Sequence, residues 1–318
     1  MGGIPVRDIS KKIKTLRIAG AQATLTVSAR TISLIKRGEI PKGDPLEVSK
    51  VAAVQAAKNT SQILPYCHPL PVDFVGVEFD LGEESITVTT TVKAIHRTGV
   101  EMEALTAASV AALNLYDMLK MLDRDMEITG VKLLSKKGGK TDFKESFSRP
   151  LHAAVLVMSD SISAGQKDDL SGKLIVERLR GEGVEVRDYK IIADDMETIE
   201  KTLRQYADDL QLDLVMTTGG TGMSPRDCAP EATKKVIERE VPGIAEAARA
   251  YGQDRTPYSM LSRGVAGVRG KTVIVNLPGS KKGVADSLEA LFPAVLHSFR
   301  ILSGGGHPSK QKVLVPEQ

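Results

Sequence analysis

The 318-residue sequence contains no tryptophan, and all aromatic residues together make up 4% of it. Proteins that hold single-stranded nucleic acid rely on aromatic platforms for base stacking, so this scarcity argues against that class. Cysteine is equally scarce: Cys67 and Cys228 cannot build a disulfide framework or a four-cysteine metal site. Charge of one sign is also missing. Lys plus Arg number 43 and Asp plus Glu 40, for a net charge of +3. Residues 1–150 carry +4 and residues 151–318 carry −1, with no basic stripe in either. A nucleic-acid partner is therefore not expected, whereas small anionic substrates are. Long apolar runs are absent too. The longest uncharged one, 104–116, is too short to cross a bilayer. The opening MGGIPVRDISKK has no apolar signal core, so no membrane partner and a cytoplasmic location are expected. What remains is 42% hydrophobic and 26% charged, the composition of a soluble globular protein with length for two domains.

The two halves follow different patterns. Residues 16–27 read as a strand, and Ser28 caps a short helix that Gly38 ends. Residues 46–63 show helical spacing up to Pro65. Residues 74–81 and 85–95 alternate apolar and polar around a short turn, the mark of a hairpin. A long helix over 98–122 and a last strand over 126–135 follow. This order implies an α+β domain of ferredoxin-like type, an antiparallel sheet with helices on one face. The polar run KKGGKTDFKESFSRP, 136–150, ends in a linker.

After Pro150 short continuous apolar runs appear, as in strands buried on both faces: 153–158, 214–218 and 272–276, with a further strand at 184–192. Helices are expected at 173–180, 197–210, 230–240, 243–251 and 285–302. Strands alternating with helices imply a three-layer α/β domain with a mostly parallel sheet. No repeat relates the halves.

The long helix organises the first half. Ala, Leu, Met and Val fill nearly every position of TGVEMEALTAASVAALNLYDMLKML, which predicts burial against a sheet on one side and another subunit on the other. Glu101, Glu103, Asp117 and Lys120 nevertheless lie on it, and charges on a buried helix are paired or functional. Asp117 and Lys120 are three residues apart and face one way, as a buried acid/base couple or a plain ion pair. Cys67 and His68 are adjacent, so their side chains diverge and a Cys-His dyad or zinc pair is not expected.

In the second half, ligands of a parallel sheet bind beyond the carboxyl ends of its strands. Three loops fall there: 159–161 with Asp160 and Ser161, Gly219-Gly220-Thr221-Gly222, and Pro278-Gly279-Ser280. Glycine-rich turns leading into helices make anion cradles. Asp194, Asp195 and Asp227 fall at the same edge, to hold Mg2+ or orient a nucleophile. For Asp195 and Asp227, helix capping is the alternative.

Certain motifs are denser than chance. KGD at 42–44, LPYCHPL at 64–70, the 98–113 segment, YDMLK at 116–120 and KKGGK at 136–140 resemble the MoaC family of cyclic pyranopterin monophosphate synthases. In the second half SDS at 159–161, DLSG at 169–172, TTGGTGMSPRD at 217–227, SRGVAGV at 262–268 and NLPGS at 276–280 resemble the MoaB/MogA family, whose active members are molybdopterin adenylyltransferases.

The resemblance implies a bifunctional enzyme of molybdenum cofactor biosynthesis, divided as 1–144, a linker 145–151, and 152–318. The first domain would turn 3′,8-cyclo-7,8-dihydro-GTP into cyclic pyranopterin monophosphate and diphosphate. Lys42, His68, Asp117 and Lys120 would be catalytic, and Cys67, Glu101, Met102, Glu103, Lys136 and Lys140 would contact substrate. The second domain would adenylylate molybdopterin with ATP and Mg2+. There Asp160, Ser161, residues 219–222, Asp194, Asp227 and Pro278 to Ser280 would serve the substrate, with Asp194 and Asp227 also supporting the metal. The alternative for this domain is a non-catalytic pterin-binding or scaffold module. Both families imply homo-oligomers, trimeric or hexameric. Glu103 and Asp117 lie about 21 Å apart along one helix, at about 1.5 Å per residue. The two glutamates are therefore either structural or part of a site completed by a neighbouring subunit.

Overall fold

A computed structural model describes residues 6–305; the ends of both expected domains, 1–5 and 306–318, lie outside the described residues. The chain divides into two compact units between Asp142 and Phe143.

In the first unit, β1 (Thr15–Thr26) leads into α1 (Ala29–Arg37). The Ser28 side chain accepts a hydrogen bond from Thr31 N, and Gly38 ends α1 in the left-handed conformation, φ 70°. α2 (Pro45–Lys58) starts on Asp44, whose carboxylate caps Leu46 N and Glu47 N. The helix expected over 46–63 is broken. Asn59 donates its side-chain amide back to Gln55 O, and a separate short helix α3 (Thr60–Ile63) follows. The hairpin is β2 (Phe74–Leu81) and β3 (Ser85–His96). Then come α4 (Glu101–Leu119) and β4 (Glu127–Lys137). The sheet order is β2-β3-β1-β4, and every neighbouring pair is antiparallel.

The core lies between this sheet and the helices. Along β1, Ala19, Ala21, Ala23 and Leu25 are wholly buried, opposed by Ala104, Ala107, Ala108, Ala111, Ala112 and Leu115 of α4. Alanine on both surfaces lets helix and sheet approach closely. Two polar ties fix the rotation of α4: buried Thr90 donates to Ala104 O at 2.8 Å, and Asn114 donates to Ser49 of α2 at 2.9 Å. As expected, one side of α4 is buried against the sheet, and within the single chain α2 also packs on it. Met102 and Leu113 are exposed, because the apolar excess of the sequence is largely alanine packed on the inner side. Beyond α4, buried Asp123 accepts hydrogen bonds from Ser28 N (2.6 Å) and Thr31 Oγ1 (2.9 Å), locking the end of α4 to the start of α1.

The second unit runs β5 (Leu151–Met158), α5 (Asp160–Ser163), α6 (Ser171–Gly181), β6 (Val184–Ile192), α7 (Met196–Arg204), β7 (Leu214–Thr218), α8 (Ala229–Val236), β8 (Arg239–Glu240), α9 (Pro242–Gln253), β9 (Ala266–Arg269), β10 (Thr272–Leu277), α10 (Lys281–Leu291) and α11 (His297–Leu302). The six-stranded sheet has the order β6-β5-β7-β10-β9-β8, with the first four strands parallel and the last two antiparallel. Ala153, Val155 and Val157 of β5 enter one core; Ala154, Leu156 and Met158 enter another on the opposite face. The sheet is thus the middle of three layers.

Three local expectations change. The helix expected to reach residue 240 ends at Val236, because Glu238 N bonds to Val268 O and pulls the chain onto the sheet edge. The closing helix splits around Pro293, which has no N–H to offer. The expected linker 145–151 is packed onto the second unit: Phe147 stacks edge-on against Phe299, Glu145 pairs with His297, and Arg149 grips buried Asp213 at 2.8 and 2.5 Å.

Asp123→Ala should cost the first unit about 1–3 kcal/mol, the range for stranding buried donors. Burial alone would raise the Asp123 pKa, but the hydrogen bonds from Ser28, Thr31 and Asp125 outweigh it and hold the carboxyl below its usual value. The stabilisation is present above the unfolded value of about 3.9 and fades as pH falls through the lower folded value. Denaturation midpoints at pH 7 and near pH 3 check this; equal losses at both would contradict it.

Candidate functional sites

The sequence-predicted catalytic residues of the first unit form two groups at opposite ends of α4. At the C-terminal end, Lys42 donates to Asp117 O at 2.8 Å and to Asp117 Oδ2 at 3.0 Å, while Lys120 pairs with Asp117 Oδ1 at 2.7 Å. Lys42 reaches there because Asp44 and Pro45 start α2 beside α4, turning the KGD loop inward. Of the two expectations, a buried acid/base couple or a plain ion pair, the single chain shows the second. The Asp117 and Lys120 side chains are 55% and 54% exposed. Hydrogen bonds from Lys120 and Lys42 hold the Asp117 carboxyl below its usual range, and the bond to Asp117 pushes the Lys120 ammonium up. Asp117 and Lys120 therefore each favour their charged form, and the carboxylate faces solvent between the two lysine side chains.

At the N-terminal end, Cys67 donates to Glu103 Oε1 at 3.4 Å, His68 Nε2 meets Arg7 O at 2.8 Å, and Lys136 lies 3.5 Å from Glu101. Glu103 is 2% exposed, and its Oε2 has no hydrogen-bond partner. Burial, with the nearby charge of Glu101, pushes the Glu103 carboxyl up. Burial and then Glu103 push the Cys67 thiol up to about 11, so it is a thiol and not a nucleophilic thiolate at neutral pH.

Cations crowd the same end. The Lys12 ammonium is held down by burial and by repulsion from Arg7, Arg17 and Lys140. The His96 imidazole is lowered by burial and by Arg97, Lys14, His68 and Arg17. Buried Arg17 spends its guanidinium on His96 O and Arg97 O. The glycine at 138 lets this loop close: φ is 99°, and a β-carbon would lie 1.9 Å from Leu16 O. These cations share that end of α4 with the carboxyl group of Glu101, which opposes the shifts of Lys12 and Arg17. Met102 is on the exposed side of α4. Sequence reasoning missed Arg7, Lys12, Arg17 and His96, which no short motif marks.

In the second unit the loops converge at the carboxyl ends of β5, β6, β7 and β10. Gly219 has φ 98°, and a β-carbon there would lie 2.0 Å from Met158 O, so only glycine allows β7's loop to cross the end of β5. Asp160 Oδ1 accepts from Asp194 N at 3.1 Å, and Asp160 Oδ2 pairs with Arg226 at 2.6 Å. Ser161 Oγ lies 3.2 Å from Ser159 Oγ, at the start of α5. Asp195 caps α7 through Thr198 N, whereas Asp194 Oδ1 is buried without a hydrogen-bond partner. The capping alternative therefore holds for Asp195, and Asp194 is the carboxylate at the site. Asp227 does not cap α8, whose preceding residue is Cys228; its Oδ2 accepts from Ser224 N at 2.9 Å instead. Positions 220 and 222 lie against these acids: a β-carbon at Gly220 would be 2.9 Å from Asp194 Oδ1, and one at Gly222 2.9 Å from Asp227 Oδ2. Thr221 is buried between them. Burial pushes the Asp194 carboxyl up, aided by the negative charge of Asp160 and Asp227.

The Pro278-Gly279-Ser280 loop is fixed by its carbonyls. Thr218 donates to Pro278 O at 2.6 Å and Ser171 to Gly279 O at 2.9 Å; Ser280 caps α10. Ser171 is placed by buried Asp169, which accepts from Ser171 N and Gly172 N and from the Tyr189 hydroxyl. The DLSG motif is the sequence signal for this clasp, though the motif alone does not reveal its role.

The MoaC family model matches residues 6–139, and the model described as "Probable molybdopterin binding domain" matches 154–297. A molybdenum cofactor biosynthesis bifunctional protein of Chlorobaculum tepidum is 42% identical over 96% of this chain and 97% of its own length. A protein of the same description from Synechococcus elongatus is 36% identical over 94% and 98%. A cyclic pyranopterin monophosphate synthase of Clostridium perfringens is 46% identical, covering 44% of this chain and 90% of its own. The solved MoaB of Thermus thermophilus is 46% identical over 48% of this chain and 97% of its own, with a TM-score of 0.47.

Asp194→Asn should raise the melting temperature of the second unit at pH 7. A group whose folded pKa is raised favours the folded state while protonated and loses that contribution as pH rises through the folded value. The amide removes the penalty at pH 7 and changes nothing below the unfolded value of about 3.9. Calorimetry at pH 7 and near pH 3.5 reads the difference; a destabilised variant at pH 7 would refute this account of Asp194.

Proposed function

The chain belongs to the family of bifunctional molybdenum cofactor biosynthesis proteins, and from that premise we propose how its two units divide the chemistry. The first unit converts (8S)-3′,8-cyclo-7,8-dihydroguanosine 5′-triphosphate to cyclic pyranopterin monophosphate and diphosphate. The observation that carries this reading is the Lys42–Asp117–Lys120 trio, an exposed set of charged proton carriers at one helix end. Rearranging the purine into a pterin needs proton transfers, for which Lys120 is the acid and Asp117 its holder. Closing the cyclic phosphate expels diphosphate, whose growing negative charge the cations near Glu101 would stabilise. His68, Lys136 and Lys140 belong to that second group, beside Glu101 and the buried Glu103, whose carboxyl is pushed up by burial.

The two groups are about 21 Å apart along α4 at about 1.5 Å per residue, too far to grip one small substrate. The site is therefore completed by a second copy of the chain, in a trimeric or hexameric assembly. The order β4-β1-β3-β2 and its antiparallel pairing support reading the first unit as ferredoxin-like.

The second unit transfers AMP from ATP to molybdopterin, releasing diphosphate. The glycine loops cradle phosphate, and Asp194 and Asp227 orient it. Mg2+ fits here. Among the described residues no group of three or more ligands forms a metal cage, but Mg2+ is commonly held by one or two carboxylates together with substrate phosphates. Asp194 Oδ1, buried and without a hydrogen-bond partner, is suited to that task. Bound there, the cation would neutralise phosphate charge; the chain's own part is to hold Asp194 and Asp227 on either side of the 219–222 loop.

Lys120→Ala should lower pyranopterin formation by about 10²–10⁴-fold, the usual worth of a general acid, and leave adenylylation unchanged. Asp227→Ala should do the reverse. Product formation from each substrate, measured on the full chain, checks both. Full pyranopterin turnover in Lys120→Ala would remove the acid from its role. No diphosphate release by wild type with molybdopterin, ATP and Mg2+ would leave the second unit as a pterin-binding module.

A further inference from the structure

One residue outside the carboxyl-end loops is joined to the candidate adenylyl-transfer loop at three points and to the following helix at a fourth. Arg263 N donates to Thr221 O at 3.0 Å. Its Nε donates to Gly222 O at 2.6 Å and its Nη2 to Asp227 O at 2.6 Å, while Nη1 pairs with Glu231 in the first turn of α8. One guanidinium therefore joins Gly222 to Asp227 across the loop and ties both to the following helix. Arginine suits this task because its planar fork holds several acceptors at fixed angles, which a lysine cannot do.

Arg263 is itself held from behind. Asn276 of β10 bonds through Oδ1 to Val265 N and through its backbone N to Val265 O, and its amide donates to Thr217 and Thr233 at 2.9 Å each. A β-carbon at Gly264 would lie 3.0 Å from Asn276 O, so the segment carrying Arg263 lies directly on the sheet. With the carbonyls of Thr221, Gly222 and Asp227 turned to Arg263, the Asp227 carboxylate stands beside Ser224 N and Gly222, on the loop's own side.

We propose that Arg263 is the positioning residue of the second site: through the carbonyls of Gly222 and Asp227 it fixes where the Asp227 carboxylate meets substrate phosphate, without touching substrate. This rests on the adenylyl-transfer reading above.

The test uses the full chain carrying Arg263→Lys, Arg263→Gln or Arg263→Ala. Hydrogen exchange of the 219–228 peptide is read first, since it requires no turnover. The proposal expects faster exchange there in all three variants, with exchange in β5 and β10 unchanged. With molybdopterin, ATP and Mg2+, Arg263→Gln should lose about 10²-fold in kcat, the scale of a slightly misplaced reacting group, with the KM for ATP changed far less. Added guanidinium at low millimolar concentration should restore part of the Arg263→Ala rate, and equal NaCl should not. Exchange identical to wild type in the 219–228 peptide overturns the proposal, as does wild-type kcat in Arg263→Gln. A uniform rise in exchange across the second unit also overturns it, since Arg263 would then support the fold as a whole. Wild type without diphosphate release would overturn the adenylyl-transfer reading instead, and the exchange result still decides whether Arg263 holds the loop.

Discussion

The seating of α4 on β1 and β3 is the constraint from which the first unit's chemistry follows. Alanines wholly buried on both surfaces leave the helix little room to rotate. Thr90 and Asn114 pin it further through Ala104 O and Ser49. That one rotation turns Glu103 into the core, where burial raises its pKa, and leaves Asp117 in solvent, where two lysines lower it. Two carboxylates on one helix thus have opposite protonation tendencies. A rigid helix also sets their separation at about 1.5 Å per residue, which no side-chain motion closes.

The second unit depends on a different constraint. Four parallel strands end at one edge, and their loops would collapse or splay unless their backbone groups were satisfied. Thr218 and Ser171 take the carbonyls of the Pro278-Gly279-Ser280 loop, Arg263 those of the 221–227 loop, and Asp160 takes the Asp194 amide. Satisfied carbonyls leave the acids Asp194 and Asp227 as the groups that face the glycine turns. Among those acids, Asp194 Oδ1 is buried without a hydrogen-bond partner.

Much of this is legible in the sequence. Period-two alternation marks β2 and β3 nearly to the residue, and the Ser28 and Gly38 signals bound α1. Buried strands β5, β7 and β10 stand out as apolar runs. The misses have physical causes. Asn59 competes with the backbone for hydrogen bonds, which spacing alone does not reveal. β8 and β9 are short and lie at an edge, so in the sequence β9 reads as a loop and β8 as the end of a helix. For the sites, motifs locate the acids and glycines, but the basic crowd around Glu101 and the Arg263 tie are formed by residues distant in sequence.

The central claim is that each pyranopterin-forming site joins the Lys42–Asp117–Lys120 end of one copy to the Glu101–Glu103 end of another. The direct measurement is the activity of assemblies formed from equal amounts of Lys120→Ala and Glu103→Ala chains, each expected to be nearly inactive alone. Random pairing in a closed symmetric oligomer gives about one intact site in four, so about a quarter of wild-type pyranopterin formation is the predicted result. Activity no greater than the sum of the two separate variants would contradict the account.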